Sequence, residues 1–326
     1  MELFKRAISS SPFVWPLRPN GLYIFNYHRI GDPNLNPFDP NVFSCTENTF
    51  EQHLKFYKQN FDVISTNDLI KINQKNQPLT KKYALLTFDD GYIDNYNLAY
   101  PLLKEYQLPA TFYIATDFID TEVLPWWDEV AFIIKNRELK SLTLPYLKED
   151  IALQNLSVAE QVKRVLRAIK EHKNLSMPKK LALLKEATQW QETPIPIENL
   201  FMNWQQVKEM QKNGMYIGSQ TCSHSMLAHL TYQQQKQEIF QSKERLEKAL
   251  SNTISSIAYP VGGYDSYNKD TLLLTEQAGY KLGFNFVPGI NSSLKDIFQL
   301  KRFSVDNDCS VADLKKLINR KVLERI

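Results

Sequence analysis

The sequence predicts an α/β protein folded as a distorted (β/α) TIM-type barrel that carries a helical insertion. Eight short runs rich in β-branched and aromatic residues recur along the chain, and their core positions are apolar on both faces, as in buried parallel strands. Helical patterns lie between most of them, the alternation of βα units. One interval, between residues 114 and 215, runs for about 100 residues without a convincing strand, far beyond an ordinary βα connection.

The strand runs fall at 22–27, 61–65, 83–88, 110–114, 215–219, 255–259, 281–286 and 300–305. Glu47–Asn60 sets Phe50, Leu54 and Tyr57 on one stripe at spacings of four and three, which is helical. Residues 233–250 place Ile239, Leu246 and Leu250 opposite charged residues, and 271–278 follows a turn. Inside the long interval, Ser157-Val158-Ala159-Glu160 has the form of a capping box. Val158, Val162, Val165, Leu166 and Ile169 continue an apolar stripe from it. Ser176-Met177-Pro178 opens a second helix expected to reach Trp190, and Pro194-Ile195-Pro196 makes a stiff turn before Trp204 starts the next element. The division expected is an N-terminal arm over 1–20 and a barrel over 21–326, with the insertion at about 120–200. A separate small domain is the alternative for the insertion.

Composition narrows the function. With 326 residues the prior is two domains, or one barrel with an insertion. A 43% hydrophobic and 23% charged composition excludes wholesale disorder. Lys+Arg 39 against Asp+Glu 36 leaves +3, too balanced for a dedicated nucleic-acid binder. Cys45, Cys222 and Cys309 lie far apart with no CxxC, so neither a disulfide framework nor a cysteine zinc site is indicated. No stretch reaches the ~20 apolar residues of a membrane span, and the first ten residues lack the apolar core of a secretory signal. The expectation is a cytoplasmic protein, with the start of the chain either frayed or an amphipathic arm giving peripheral contact with the inner membrane.

Two segments carry chemistry. Leu86-Thr87-Phe88-Asp89-Asp90-Gly91-Tyr92 ends a strand in adjacent carboxylates and a glycine turn. At the carboxyl end of a barrel strand two such acids can divide the work of metal ligand and general base, although a helix cap plus a loop acid has the same look. Ser223-His224-Ser225-Met226-Leu227-Ala228-His229 follows another strand, and its five-residue histidine spacing lets both imidazoles converge on one ion. One carboxylate and two imidazoles make a three-ligand set with positions left for water and substrate.

Together these motifs resemble the polysaccharide deacetylases, the carbohydrate esterase family 4 or NodB-homology group. Thr87-Phe88-Asp89-Asp90-Gly91-Tyr92 is similar to the first motif of that family and His224 to His229 to the second. Ala258-Tyr259-Pro260-Val261-Gly262 resembles the third, a loop lining the cleft. The resemblance implies that Asp89 is the general base and that Asp90, His224 and His229 hold a divalent metal, zinc first, with cobalt or nickel as alternatives. It implies an oxyanion site in the loop of Tyr259, Pro260 and Val261, through the Val261 N–H. The family's third-motif arginine and late histidine are absent from their usual places. Chains similar to the poly-N-acetylglucosamine deacetylases bring the acid from the first strand, which implies His28 in Tyr27-His28-Arg29. Arg302 is the candidate to replace the missing arginine. Gln220 stands where many relatives carry another histidine.

The implied partner is an N-acetylated saccharide or a lipid-linked glycan, with the oligomeric state left open. The implied activity is N-deacetylation of amino sugars in a bacterial surface polysaccharide or its lipid-linked precursor. A carbohydrate O-acetyl esterase and a catalytically silent carbohydrate-binding barrel are the alternatives. Trp126 and Trp127 are either a sugar-stacking platform or packing anchors for the insertion. His53 and His172 are expected at the surface of their helices, and Cys222 as a small packed residue.

Overall fold

The computed structural model describes residues 13–172, 175–191, 193–197, 199–306 and 308–324. Eight strands form one sheet: β1 (Gly21–Tyr27), β2 (Asp62–Val63), β3 (Lys82–Phe88), β4 (Thr111–Ile114), β5 (Tyr216–Ser219), β6 (Ser256–Ala258), β7 (Leu282–Phe284) and β8 (Phe303–Ser304). Their order is β7-β6-β5-β4-β3-β1-β8, with β2 beside β3. Every pairing in it is parallel. The stretch leading into β8 also bridges to β7: the Leu300 N–H donates to the Gly283 carbonyl at 2.9 Å, and the Asn285 N–H to the Leu300 carbonyl at 3.0 Å. Since Phe303 and Ser304 pair with Phe25 and Asn26, this one stretch reaches both ends of the strand order. All eight expected strands are present.

Strand periodicity sorts the side chains into two layers. Leu22 and Ile24 of β1, Leu85 of β3, Tyr113 of β4, Ala258 of β6 and Leu282 and Phe284 of β7 share the inner cluster. The alternate residues Tyr23, Phe25 and Tyr27 join the outer cluster with Phe50, Leu54 and Tyr57. The last three lie on α1 (Glu47–Asn60), capped by the Thr46 hydroxyl accepting from the Thr49 N–H at 3.3 Å. Each such buried Leu or Phe contributes about 1.5–3 kcal/mol. A Cβ at Gly218 of β5 would stand 2.3 Å from the Tyr113 ring, so only glycine lets that ring fill the barrel interior. The further α-helices among the described residues are α2 (Thr66–Gln74), α3 (Tyr100–Glu105), α4 (Trp126–Lys135), α5 (Val158–Glu171), α6 (Met177–Ala187), α7 (Trp204–Lys212), α8 (Tyr232–Leu250), α9 (Lys269–Gln277) and α10 (Val311–Leu323).

His53 corrects an expectation. It is buried rather than at the surface. Its Nε2 is 2.7 Å from the Cys309 carbonyl and its Nδ1 2.9 Å from the Tyr27 hydroxyl. A carbonyl only accepts, so Nε2 carries the proton and Nδ1 accepts from Tyr27. With the Tyr27 proton used, the Tyr57 hydroxyl donates to Tyr27 across 2.6 Å. Burial pushes the His53 imidazole down to about 4, which keeps it neutral in this chain of bonds.

The chain divides into two units, one of 1–31, 43–121 and 200–326, the other of 32–42 and 122–199. In the second, α4, α5 and α6 pack Val130, Ile133, Val162, Val165, Ile169 and Leu184 into a core of their own. The Ser157 capping box forms, with the Ser157 N–H donating to Glu160 Oε2 at 2.9 Å and the Glu160 N–H to Ser157 Oγ at 3.3 Å. The segment 32–42 was not foreseen as part of this unit. There the Asp39 N–H donates to Asp128 Oδ1 at 3.1 Å, and Asn41 Nδ2 to the Ala159 carbonyl at 3.1 Å. Ser141–Leu142 and Ile151–Ala152 pair as a short antiparallel ladder in the interval expected to hold no strand. The helix expected to reach Trp190 ends at Ala187. His172 caps the end of α5, half-buried, its ring 4.7 Å from that of Tyr146. Trp127 is buried, and Trp126 is half-buried against the core of this unit. Residues 1–12 of the expected arm lie outside the described residues; among the described ones no helix is long and apolar enough to cross a membrane.

Candidate active site

The register of β1 on β3 sets the site. Tyr27 pairs with Phe88, and the Asp89 N–H continues the ladder to the Tyr27 carbonyl at 2.9 Å. His28 and Asp89 directly follow this last pair of the ladder. By the alternation that sends Leu22 and Ile24 inward, Asn26 follows on the inner side, as Asp89 follows Leu85 and Thr87.

Beneath the site lies a closed polar layer. Arg302 Nη1 and Nη2 reach Asp89 Oδ1 and Oδ2 at 2.8 and 2.9 Å, a two-pronged pair that is almost fully buried. Arg302 Nη1 also donates to Asn26 Oδ1 at 2.6 Å and Nε to the Asn285 carbonyl at 2.8 Å. Asn26 Nδ2 donates to Asp89 Oδ2 at 3.1 Å, and the Thr87 hydroxyl to Asn26 Oδ1 at 2.7 Å. Two buried charges are tolerable only when paired and hydrogen-bonded in this way. Arg302 directly precedes β8. Its partner Asn26 was missed in the sequence, although an amide at an inward position of an otherwise apolar strand is a readable signal.

Above that layer the backbone is strained. Asp90 has φ 75, Thr221 φ 66, His224 φ 55 and Val261 φ 65. Such conformations cost about 1–3 kcal/mol each for non-glycine residues and cluster at functional sites. Gly91 follows Asp90 at φ 87, a position that favours glycine. Gln220 Oε1 accepts the Asp90 N–H at 2.6 Å, which gives the residue in the usual histidine place its structural task. The loop after β5 is pinned from α8: Glu238 Oε2 accepts the Cys222 and Ser223 N–H groups, both at 2.9 Å, and Oε1 the Ser223 hydroxyl at 2.6 Å. Burial, with Glu238 nearby, pushes the Cys222 thiol up to about 11, so it is packed and unreactive as expected. Glu238, fifteen residues beyond Ser223, carries no local sequence signal for this role.

Asp90 and His224 come together. Asp90 Oδ1 is 3.3 Å from His224 Nε2; it is buried and makes no hydrogen bond among the described residues. A buried carboxylate oxygen without a donor, facing an imidazole nitrogen, is chemically fit to share a divalent cation. His229 ends a short 3-10 turn, Leu227–His229, its N–H bonded to the Met226 carbonyl at 3.0 Å. Among the described residues no group of three or more His, Cys, Asp or Glu side chains is gathered closely enough to hold a metal.

The third-motif loop divides. Val261 stands at the centre of a tight turn closed by the Gly262 N–H to the Pro260 carbonyl at 2.7 Å. The Val261 N–H makes no hydrogen bond among the described residues. The Tyr259 side chain is buried in the outer layer, stacked on Tyr267 at 4.8 Å, its hydroxyl donating to the Phe298 carbonyl at 2.9 Å. A strand residue adjacent to the inward Ala258 must point outward. The His28 ring meets Phe286 edge-on at 5.6 Å, and the Phe286 N–H bonds the Gly262 carbonyl at 2.8 Å, which links His28 to this loop.

The polysaccharide deacetylase family profile matches residues 76–283, more than half of the chain. The chain belongs to that family. The Bacillus subtilis protein YxkH, which bears a polysaccharide deacetylase name, is 24% identical over 306 residues, 94% of this chain and 78% of the relative. The poly-beta-1,6-N-acetyl-D-glucosamine N-deacetylase of Staphylococcus aureus is 28% identical over 145 residues, 42% of this deacetylase and 49% of that one. Among solved structures, the Streptococcus pyogenes deacetylase PplD in complex with acetate covers 92% of this chain and 99% of its own, with TM-score 0.61 and 22% identity. IcaB from Ammonifex degensii covers 93% and 98%, with TM-score 0.59 and 16% identity. These structures share the barrel fold.

Proposed function

We propose that this polysaccharide deacetylase hydrolyses the N-acetyl groups of amino sugars in a bacterial surface polysaccharide or its lipid-linked precursor, with a bound divalent metal. The observation that carries the reading is the Arg302–Asp89 fork beside the Asp90–His224 pair, two acids adjacent in sequence held for different tasks. The named poly-N-acetylglucosamine deacetylase among the relatives supports the amide over the ester.

Asp90, His224 and His229 would hold the ion, which supplies Lewis acidity toward the acetamide oxygen and makes water more acidic. Asp89, oriented by Arg302 and Asn26, takes the proton of the attacking water. The negative charge that develops on the former carbonyl oxygen meets the Val261 N–H. His28 delivers a proton to the nitrogen as the C–N bond breaks with its electron pair on nitrogen. Acetate and a free amino sugar result.

Acetate release tests this on N-acetylglucosamine oligosaccharides, lipid-linked sugars and acetylated xylan, with chelator and then added zinc, cobalt or nickel. The reading expects release from N-acetylated sugars, lost on chelation and restored by metal. Release from acetylated xylan alone would turn the reading to an esterase. No release, with no stoichiometric metal bound, would leave a carbohydrate-binding barrel.

A further inference from the structure

Beyond Tyr27 the chain leaves the barrel register. Arg29–Ile30 pairs instead with Phe43–Cys45, and the register shifts between Arg29 and Ile30. A break of that kind re-aims the side chains beside it, and His28 sits between the two ladders. Its backbone is nonetheless held on both sides. The His28 N–H donates to Ser44 Oγ at 3.0 Å, and Asn95 Nδ2 donates to the His28 carbonyl at 2.7 Å. Asp94 holds the next two residues: Oδ1 accepts the Ile30 N–H at 2.9 Å and Oδ2 the Arg29 Nε at 2.7 Å. Asn95 Nδ2 also reaches Asp94 Oδ1 at 3.2 Å, joining the two contacts.

The Arg29–Asp94 pair is buried. The guanidinium lies 4.5 Å from the ring centres of both Phe43 and Tyr92. Tyr92 comes two residues after Asp90 and is itself stacked on Phe201 at 4.7 Å. The turn that carries the acids is thereby bound to the segment that carries His28. Asp94 and Asn95 stand at the start of the helical segment that follows this turn.

We propose that Asp94 is a positioning residue for His28, acting with Arg29 and Asn95 to fix the imidazole relative to Asp89 and Asp90. The inference rests on the reading of His28 as the proton donor. A misplaced donor harms only reactions that need one: an amine must be protonated to leave, whereas a nitrophenolate departs unaided.

The experiment measures turnover of an N-acetylglucosamine oligosaccharide and of 4-nitrophenyl acetate, in wild type, Asp94→Asn, Asn95→Ala and His28→Ala. Expected is a 10-fold or greater fall in the amide-to-ester ratio for Asp94→Asn, carried by kcat with KM little changed, and a larger fall for His28→Ala. Should Asp94→Asn not fold, Asn95→Ala, which removes the bond to the His28 carbonyl, carries the same expectation. If His28→Ala shifts the ratio while the folded Asp94 and Asn95 variants do not, the ion pair is structural and the positioning role is wrong. An unchanged ratio in His28→Ala would overturn the donor itself, and the positioning role with it.

Discussion

Arg302 grips both oxygens of Asp89, at 2.8 and 2.9 Å, from a position more than two hundred residues away in sequence. The fork fixes the carboxylate in a plane, and the Asn26 amide closes its remaining side at 3.1 Å. An ammonium can neutralise this charge but cannot make the planar fork.

Replacing the fork with a point charge should therefore be costly. Removing one partner of a buried pair typically costs about 3–5 kcal/mol, so Arg302→Met should unfold several degrees below wild type. Arg302→Lys should recover part of that stability while its acetate release stays at least about 10-fold down, because orientation rather than charge is missing. Melting curves and acetate release together check this. Wild-type activity in Arg302→Lys would mean that Asp89 needs no fork.

Metal retention separates the proposed ligands from their neighbours. His224→Ala should lose bound metal and activity together while the barrel stays folded, and His229→Ala should do the same if it is the third ligand. Metal content by elemental analysis beside circular dichroism reads both. Full occupancy in His229→Ala would remove it from the set and leave the other two.

His53 predicts an acid limb in stability. Its folded value of about 4 lies below the usual 6.5, so as pH falls the unfolded chain takes up the proton first. The stability is whole above pH 6.5, is lost between 6.5 and 4, and changes no further below 4. The loss from this group is roughly 3 kcal/mol. His53→Gln, which cannot titrate there, should show a shallower fall of melting temperature across that window. Parallel pH profiles for the two proteins would contradict the assignment.

The strand pattern was legible because a buried parallel strand needs apolar residues on both faces, and all eight runs carry them. The carboxylate turn and the Asp90–His224 pairing were legible because each follows a strand. His53 was not read correctly, although 50, 53, 54 and 57 form one helical stripe. A polar residue on such a stripe is buried only when bonds await it, here from Tyr27 and Cys309, and those partners come from distant segments. The same reason hid Asn26 and Glu238. The segment 32–42 joins the second unit through hydrogen bonds to Asp128 and Ala159 that no local pattern announces.

The central claim is that Asp89 activates water while Asp90 holds the ion. The most direct measurement compares acetate release from an N-acetylglucosamine oligosaccharide by wild type and Asp89→Asn, each with its bound metal quantified. The account predicts equal metal content and acetate release lower by about 10²–10⁴-fold in the variant, the usual contribution of a positioned base. Near-normal release from metal-loaded Asp89→Asn would contradict it.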